Sequence, residues 1–189
     1  MILCDRSIRF HSAFLNDPVY FDLERLQPAS YDVTLGDEFR ILRGAPRGKV
    51  WDATVPVDPA DPATYELECY QVVKDSEFLL KPHQFVLAHT RETFRIPPDI
   101  QATVCGKSSL GRLGLFVENA GFVDPGFRGQ LTLELFNCSQ RPILLRSGMR
   151  IAQVSYQQLD TPAACPYGSA ELGSHYQNQE GATPSRGSF

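Results

Sequence analysis

Short apolar segments separated by turn residues constrain the fold of this chain more than any other feature of its sequence. They recur at intervals of about 8 to 12 residues, at positions 78–80, 85–87, 93–96, 102–104, 121–123, 130–136, 142–145 and 150–156. The 14 prolines and 14 glycines are scattered among these segments, where they favour turns. This spacing is typical of a β-sandwich or jelly roll. We therefore predict a mainly β protein.

The composition predicts one folded domain over residues 1–189. A hydrophobic content of 42% supplies one packed core and excludes a disordered adaptor. Within that domain, the aspartate- and proline-rich residues 55–64 are predicted to form an exposed loop. The apolar spacing after Ser7 predicts a short N-terminal helix over residues 7–15 that Ser7 caps. The polar residues from 168 onward are predicted to form either a frayed tail or a lid.

Charge and hydropathy restrict the location and the partners. The net charge of −4 argues against a general nucleic-acid binder, which would present a basic face. No apolar run approaches the roughly 20 residues that span a bilayer, so we expect no membrane segment. The N-terminus lacks the pattern of a secretory signal, and we expect a cytoplasmic protein. The five cysteines include no Cys-x-x-Cys pair and are expected to be reduced and mostly buried.

A basic, glycine-rich segment over residues 106–114 is the strongest candidate for an anion site. Lys107, Ser108, Ser109 and Arg112 lie between flexible glycines, so side chains and backbone amides could converge on a triphosphate. The alternative is a basic turn leading into a short helix, with Arg112 paired to a surface carboxylate. The segment is not a P-loop, because the required order of residues is absent.

A second candidate lies downstream, where Asp-Pro-Gly-Phe at 124–127 predicts a tight turn within a hairpin. In the following segment, Leu131, Leu133 and Leu135 alternate with polar residues, which places Glu134 on the face opposite the leucines. A carboxylate at such a position is either solvated or, in a pocket beside Arg112, a general acid or base.

Metal and covalent chemistry are not indicated by the sequence. The zinc deaminases need a His-x-Glu stretch followed by Pro-Cys-x-x-Cys, and neither occurs here. The histidines show no ligand spacing, so we expect no protein-bound zinc. A Gly-x-Ser-x-Gly nucleophile motif is also missing.

Taken together, the motifs resemble the dCTP deaminase family of the dUTPase-like superfamily. The resemblance rests on Gly-Lys-Ser-Ser-Leu-Gly-Arg-Leu-Gly-Leu, Ala-Gly-Phe-Val-Asp-Pro-Gly-Phe-Arg-Gly and Leu-Thr-Leu-Glu-Leu. It extends to Cys-Asp-Arg near the N-terminus, to residues 27–33 and to the tail from Pro166 to Gln179. It implies a distorted jelly-roll or β-barrel protomer, assembled as a homotrimer with active sites between subunits.

The resemblance also implies a set of site residues. The implied catalytic residues are Glu134, Ser108 and Arg112. The implied nucleotide-binding residues are Lys107, Ser108, Ser109, Arg112, Asp124, Thr132, Tyr167, His175 and Gln179, and residues 168–189 become the lid. The implied reaction is zinc-independent deamination of dCTP in dUMP and dTTP precursor synthesis, with Mg²⁺ carried by the triphosphate and dTTP as an inhibitor.

Two departures from the common family pattern, and one feature typical of a subgroup, concern the site. The segment 116–121, Phe-Val-Glu-Asn-Ala-Gly, replaces the commoner pattern with His-x-Thr-Ala-Gly and is one residue shorter. His175 stands where many members have a lysine. The form Gly-Lys-Ser-Ser resembles the members that convert dCTP through to dUMP and pyrophosphate, whereas members with Gly-Arg-Ser-Ser release dUTP.

Other functions remain to be weighed against this one. The nearest enzymatic alternative is a dUTPase without deaminase activity, which the glutamate in Leu-Thr-Leu-Glu-Leu disfavours. A nucleotide-sensing regulatory member would not require Lys107, Ser108, Arg112 and Glu134 together. A purely structural jelly roll would not need the anion-binding segment.

Overall fold

The computed structural model describes residues 1–12, 21–42, 58, 70–118 and 121–186. Within them lie two short α-helices, α1 (Asp5–Phe10) and α2 (Ser108–Gly111). The strands, in chain order, are β1 (Leu26–Gln27), β2 (Ser30–Thr34), β3 (Glu38–Leu42), β4 (Tyr70–Lys74), β5 (Glu77–Leu80), β6 (Phe85–Arg95), β7 (Ile100–Gly106), β8 (Leu115–Glu118), β9 (Phe122–Val123), β10 (Arg128–Asn137), β11 (Ile143–Arg146) and β12 (Arg150–Gln158). The mainly β prediction is confirmed.

The strands form two antiparallel five-stranded sheets and a separate two-stranded ribbon. The first sheet has the order β1-β2-β12-β7-β9, the second has the order β4-β3-β6-β10-β8, and β11 pairs with β5. Their inward-facing side chains meet in one apolar core, which includes Tyr31 and Val154 from the first sheet and Ala88 and Leu133 from the second. A bridge between Leu35 and Thr90 joins the two sheets.

Two predictions about strands are wrong in detail. Segments 85–87 and 93–95 belong to one continuous strand, β6, because the intervening His89, Thr90 and Glu92 are buried and hydrogen bonded. The turn at 124–127 forms as predicted, with the Phe127 amide donating to the Asp124 carbonyl at 3.1 Å. It is not a hairpin, because β9 pairs with β7 whereas β10 pairs with β6 and β8. The turn carries the chain from one sheet to the other.

The N-terminal helix also differs from its prediction. It begins at Asp5 rather than Ser7, its N-cap is Cys4, and no side chain caps it. Residues 13–15 of the predicted helix lie outside the described residues, as does the predicted loop at 55–64 except for Asp58. The expectation of buried cysteines is wrong for Cys4, Cys105, Cys138 and Cys165, which are exposed. No helix among the described residues has the length and apolarity to cross a membrane.

The C-terminal segment is not frayed over residues 168–186. Gln179 forms a parallel bridge with Gly129 at the start of β10, and its side-chain amide donates to the Gln130 carbonyl at 2.7 Å. Farther along, the Thr183 amide donates to the Thr132 hydroxyl at 3.0 Å. Ala182 is fully buried by this pairing. The segment therefore lies alongside the first residues of β10.

Gly36, in the turn between β2 and β3, is predicted to be essential for stability. A Cβ atom there would lie 2.2 Å from the imidazole of His89, which is itself buried. Because that ring cannot move without disturbing the core, Gly36→Ala should lower the free energy of unfolding by about 1–3 kcal/mol. Urea denaturation measures this loss, and Gly111→Ala is the matched control because nothing lies within 4 Å of its Cβ position. Equal stabilities of the two variants would contradict the prediction.

Candidate active site

A cavity of about 810 Å³ lies over the outer face of β10, beneath the C-terminal segment. Six of the predicted site residues line it: Asp124, Thr132, Glu134, Tyr167, His175 and Gln179. Strand β10 supplies two of them because alternate side chains point to the same face. The turn at 124–127 supplies Asp124, and the tail supplies the rest. The structure thus places six predicted site residues, from Asp124 to Gln179, around one cavity.

Glu134 projects from the middle of β10 into this cavity. Its neighbours Leu133 and Leu135 are fully buried on the opposite face, as the alternation predicts. Its Oε2 atom is buried and has no hydrogen-bond partner among the described residues. Burial raises the pKa of the Glu134 carboxyl above its ordinary value, and the negative charge of Glu118 raises it further. A carboxyl with a raised pKa takes up a proton more readily than an ordinary glutamate, which suits a group that must both accept and release one.

Gln179 provides a second unsatisfied polar atom at the same place. Its Oε1 is buried without a hydrogen-bond partner, and Glu134 Oε2 is the other such side-chain atom in the part of the chain that the structure describes. Buried polar atoms are normally hydrogen bonded, so exceptions that share one cavity indicate a ligand. The two oxygens point to a polar ligand with hydrogen-bond donors.

The turn at 124–127 packs against the start of the tail and so positions one side of the cavity. Gly126 has φ +93°, and a Cβ atom there would lie 2.7 Å from Pro166, so only glycine fits. The Tyr167 amide donates to the Pro125 carbonyl at 2.7 Å, and its ring packs against Phe127. The Tyr167 hydroxyl in turn accepts from the Tyr176 amide at 2.9 Å. The tail is thereby anchored beside Asp124.

The predicted anion-binding residues lie elsewhere in the chain. Ser108, Ser109 and Arg112 are exposed in and after α2, at the N-terminal end of β8. Leu115 pairs with Asn137, whereas Glu118 pairs with Glu134. The helix is therefore at least three residues of β10 from Glu134, which corresponds to about 10 Å. Among the described residues that line the Glu134 cavity, none is a lysine or an arginine. Within one chain, Arg112 therefore does not reach Glu134.

Lys107 makes a contact that the sequence analysis missed. Its ammonium donates to Oδ1 of Asp32 on β2 at 2.6 Å, and Arg150 Nη1 lies 3.7 Å from the other carboxylate oxygen. Asp32 is only 1% exposed. Asp32 lies in the segment 27–33 that contributes to the family resemblance, but only the fold shows that it fixes the base of the 107–112 segment.

Replacement of Asp32 tests this anchor. Asp32→Asn leaves Lys107 without its charged partner, and the loss of a hydrogen bond between charged groups should lower the free energy of unfolding by about 1.5–3 kcal/mol. The matched control is Glu77→Gln, because the Glu77–Arg146 pair is 2.9 Å apart but its side chains are more than half exposed. Breaking such a surface pair should cost less than about 1 kcal/mol. Similar losses in urea denaturation of both variants would refute the anchoring role.

Comparison with known proteins identifies the family. Residues 10–159 match the family model described as dCTP deaminase-like. The chain belongs to this family. Proteins named "dCTP deaminase, dUMP-forming" are among the relatives of this dCTP deaminase-like chain. That of Bifidobacterium longum is 46% identical over 164 residues, covering 86% of this chain and 81% of its own length. That of Bifidobacterium adolescentis is 44% identical over 190 residues, with coverages of 98% and 94%.

A solved structure supports the same assignment. The 2'-deoxycytidine 5'-triphosphate deaminase from Agrobacterium tumefaciens aligns with a TM-score of 0.63 and 26% sequence identity. The alignment covers 83% of this dCTP deaminase-like chain and 47% of the other, so this chain spans about half the length of that protein. The predicted jelly-roll fold and the resemblance to the dCTP deaminase family are both confirmed.

Proposed function

We propose that this chain deaminates dCTP and carries the product through to dUMP and pyrophosphate. The observation that carries the proposal is the cavity in which Glu134 and Gln179 present buried oxygens without partners. The amino group of cytosine supplies hydrogen-bond donors of the kind that Glu134 Oε2 lacks. Family membership and the names of the relatives support the same substrate.

In the proposed reaction, Glu134 is the general base. Its carboxylate takes a proton from a water molecule, and the oxygen of that water forms a bond to C4 of cytosine. Glu134 then returns the proton to the exocyclic nitrogen, the remaining hydroxyl proton passes to N3, and the C4–N bond breaks, so ammonia leaves as the C4 carbonyl forms. The raised pKa of Glu134 favours this exchange because the same group must both accept and release the proton near neutral pH. Ser108 and Arg112 are proposed to position the attacking water.

The remaining predicted residues are proposed to hold the nucleotide. Asp124 and Thr132 would contact the deoxyribose and the base, while Tyr167, His175 and Gln179 would close over the phosphates as part of a lid over residues 168–189. Lys107 and Ser109 complete the phosphate site. Mg²⁺ would enter with dCTP and bridge phosphate oxygens, since Mg²⁺ usually binds proteins through substrate phosphates rather than in a dedicated cage.

A homotrimer with sites between subunits is proposed to supply the cations that the described residues of one chain do not bring to Glu134. The Glu134 cavity has no lysine or arginine among its described lining residues, although a triphosphate needs cations. Beside Glu134, aromatic residues form a cross-strand row over β6, β10 and β8, in which Phe85, Phe136 and Phe116 are register partners. Phe116 is 53% exposed. We propose that a neighbouring subunit covers this row and that its Arg112 segment reaches Glu134.

Product analysis tests the proposal directly. Purified protein is incubated with dCTP and magnesium, and ammonia, pyrophosphate and nucleotides are measured over time by ion-exchange chromatography. We expect ammonia and pyrophosphate in equal amounts with dUMP. Ammonia with dUTP alone would restrict the function to deamination. Hydrolysis of dUTP without ammonia from dCTP would establish the dUTPase alternative, and nucleotide binding without turnover would indicate a regulatory member.

Two further parts of the proposal concern regulation and location. dTTP shares the deoxyribose and the triphosphate with dCTP, so it is proposed to compete for the same cavity, which the same assay measures as inhibition. A cytoplasmic location is proposed because the substrate belongs to deoxynucleotide metabolism.

A further inference from the structure

Glu118 lies directly opposite the proposed general base. It is the last residue of β8, and its register partner across the antiparallel ladder is Glu134 on β10. Side chains of such partners extend from the same face of the sheet, with Cβ atoms about 4.5–5.5 Å apart. Glu118 belongs to the 116–121 segment that departs from the commoner family pattern. Among the described residues, no lysine, arginine or histidine forms a salt bridge with the Glu118 carboxylate.

We propose that Glu118 is a positioning residue that acts through Glu134: its negative charge opposite the general base sets the lowest pH at which Glu134 works. This inference rests on the proposed function of Glu134. Two like charges held opposite each other in a ladder repel, and the repulsion is relieved when one carboxyl binds a proton. Because Glu134 Oε2 is buried and unsatisfied while Glu118 is exposed, Glu134 is the member that takes the proton.

Among the described residues, no other group around Glu134 provides an equivalent charge. On β6 its register partner is Leu87, and the nearby His89 is buried against Gly36 with Nδ1 2.8 Å from the Thr90 carbonyl. The titratable groups that reach the same cavity from other elements are Tyr70, Asp124, Tyr167, His175 and Tyr176. Of these, Asp124 is the other carboxylate, and it projects from the turn after β9 rather than from a strand paired with β10. Glu118 is thus the carboxylate that strand pairing holds directly opposite Glu134.

The inference predicts a displaced pH profile. In Glu118→Gln the acidic limb of kcat against pH should move to lower pH by roughly 0.2 to 0.7 on the pH scale, the range expected for one cross-strand pair of like charges. The direction follows because removal of the negative charge lets Glu134 ionise more readily. Glu118→Asp keeps the charge and should keep the profile close to that of the natural chain. The matched control, Glu77→Gln, removes an exposed carboxylate from β5 and should leave the limb in place.

A second measurement does not depend on turnover. Carboxyl ¹³C NMR of the full chain follows the titration of Glu134, whose signal is identified by its loss in Glu134→Gln. The same downward displacement is expected in Glu118→Gln. An unchanged titration, or an equal displacement in Glu77→Gln, would overturn the role of Glu118. Absence of ammonia from dCTP in the natural chain would instead overturn the proposed function, and the NMR titration would still decide the coupling.

Discussion

Replacing Glu134 by glutamine should abolish dCTP deamination while leaving dCTP binding nearly intact. Glutamine has the shape of the protonated carboxyl, so the cavity and the pairing of β10 with β6 and β8 are preserved. Its amide cannot accept a proton from water, and the loss of a general base typically lowers the rate by about 100- to 10,000-fold. The expected result is therefore a large fall in kcat with little change in the dissociation constant.

Ammonia release under single-turnover conditions measures the first quantity, and isothermal titration with dCTP and magnesium measures the second. Glu77→Gln is the matched control, because it makes the same chemical change at an exposed ion pair on β5. Turnover that survives in Glu134→Gln would remove Glu134 from the mechanism. A parallel loss of binding and turnover would instead indicate that Glu134 holds the substrate.

The predictable part of the fold is the part governed by local alternation. Leu131, Leu133 and Leu135 are buried while Glu134 faces the cavity, because side chains of a strand alternate without regard to its partners. The prediction of two strands in place of β6 was wrong because the polar residues at its centre resemble the turn between two strands. Glu92, for example, is fully buried, and it accepts hydrogen bonds from the amide and hydroxyl of Thr34 at 2.9 and 2.8 Å. Such partners are 58 residues away and leave no local signal.

The candidate site likewise has a part that the sequence predicts and a part that it does not. The identities of its residues follow from motifs, but their grouping depends on long-range register. Pairing of the tail with Gly129 and Gln130 brings Gln179 to β10, and the pairing of β8 with β10 sets Glu118 opposite Glu134. Neither pairing is implied by residue spacing. The contact between Lys107 and Asp32 spans 75 residues and joins two motifs that the sequence presents separately.

The largest consequence of this grouping is that two inactive variants should restore activity to each other. Glu134 lies in the cavity over β10, whereas Arg112 is exposed beyond the other end of β8. If each site takes Glu134 from one subunit and Arg112 from its neighbour, Glu134→Gln and Arg112→Ala chains combine to give some sites with both natural residues. In a mixed trimer that contains both variants, one of the three sites should have both natural residues, so roughly one third of the natural activity should return.

The experiment uses two differently tagged chains that are co-expressed and purified through both tags, so that every oligomer assayed contains both variants. The matched control combines Ser108→Ala with Arg112→Ala. Both changes fall in the same segment, so every site in that mixture receives a segment with one substitution, and no activity should return.

Mixed oligomers of the first pair that remain inactive would contradict sites shared between subunits, because a shared site takes Glu134 and Arg112 from different chains. Recovery in the control mixture as well would show that Ser108 and Arg112 do not act on the same nucleotide. Recovery confined to the first pair would explain why the described residues that line the Glu134 cavity include no lysine or arginine, since the cations would come from the neighbouring chain.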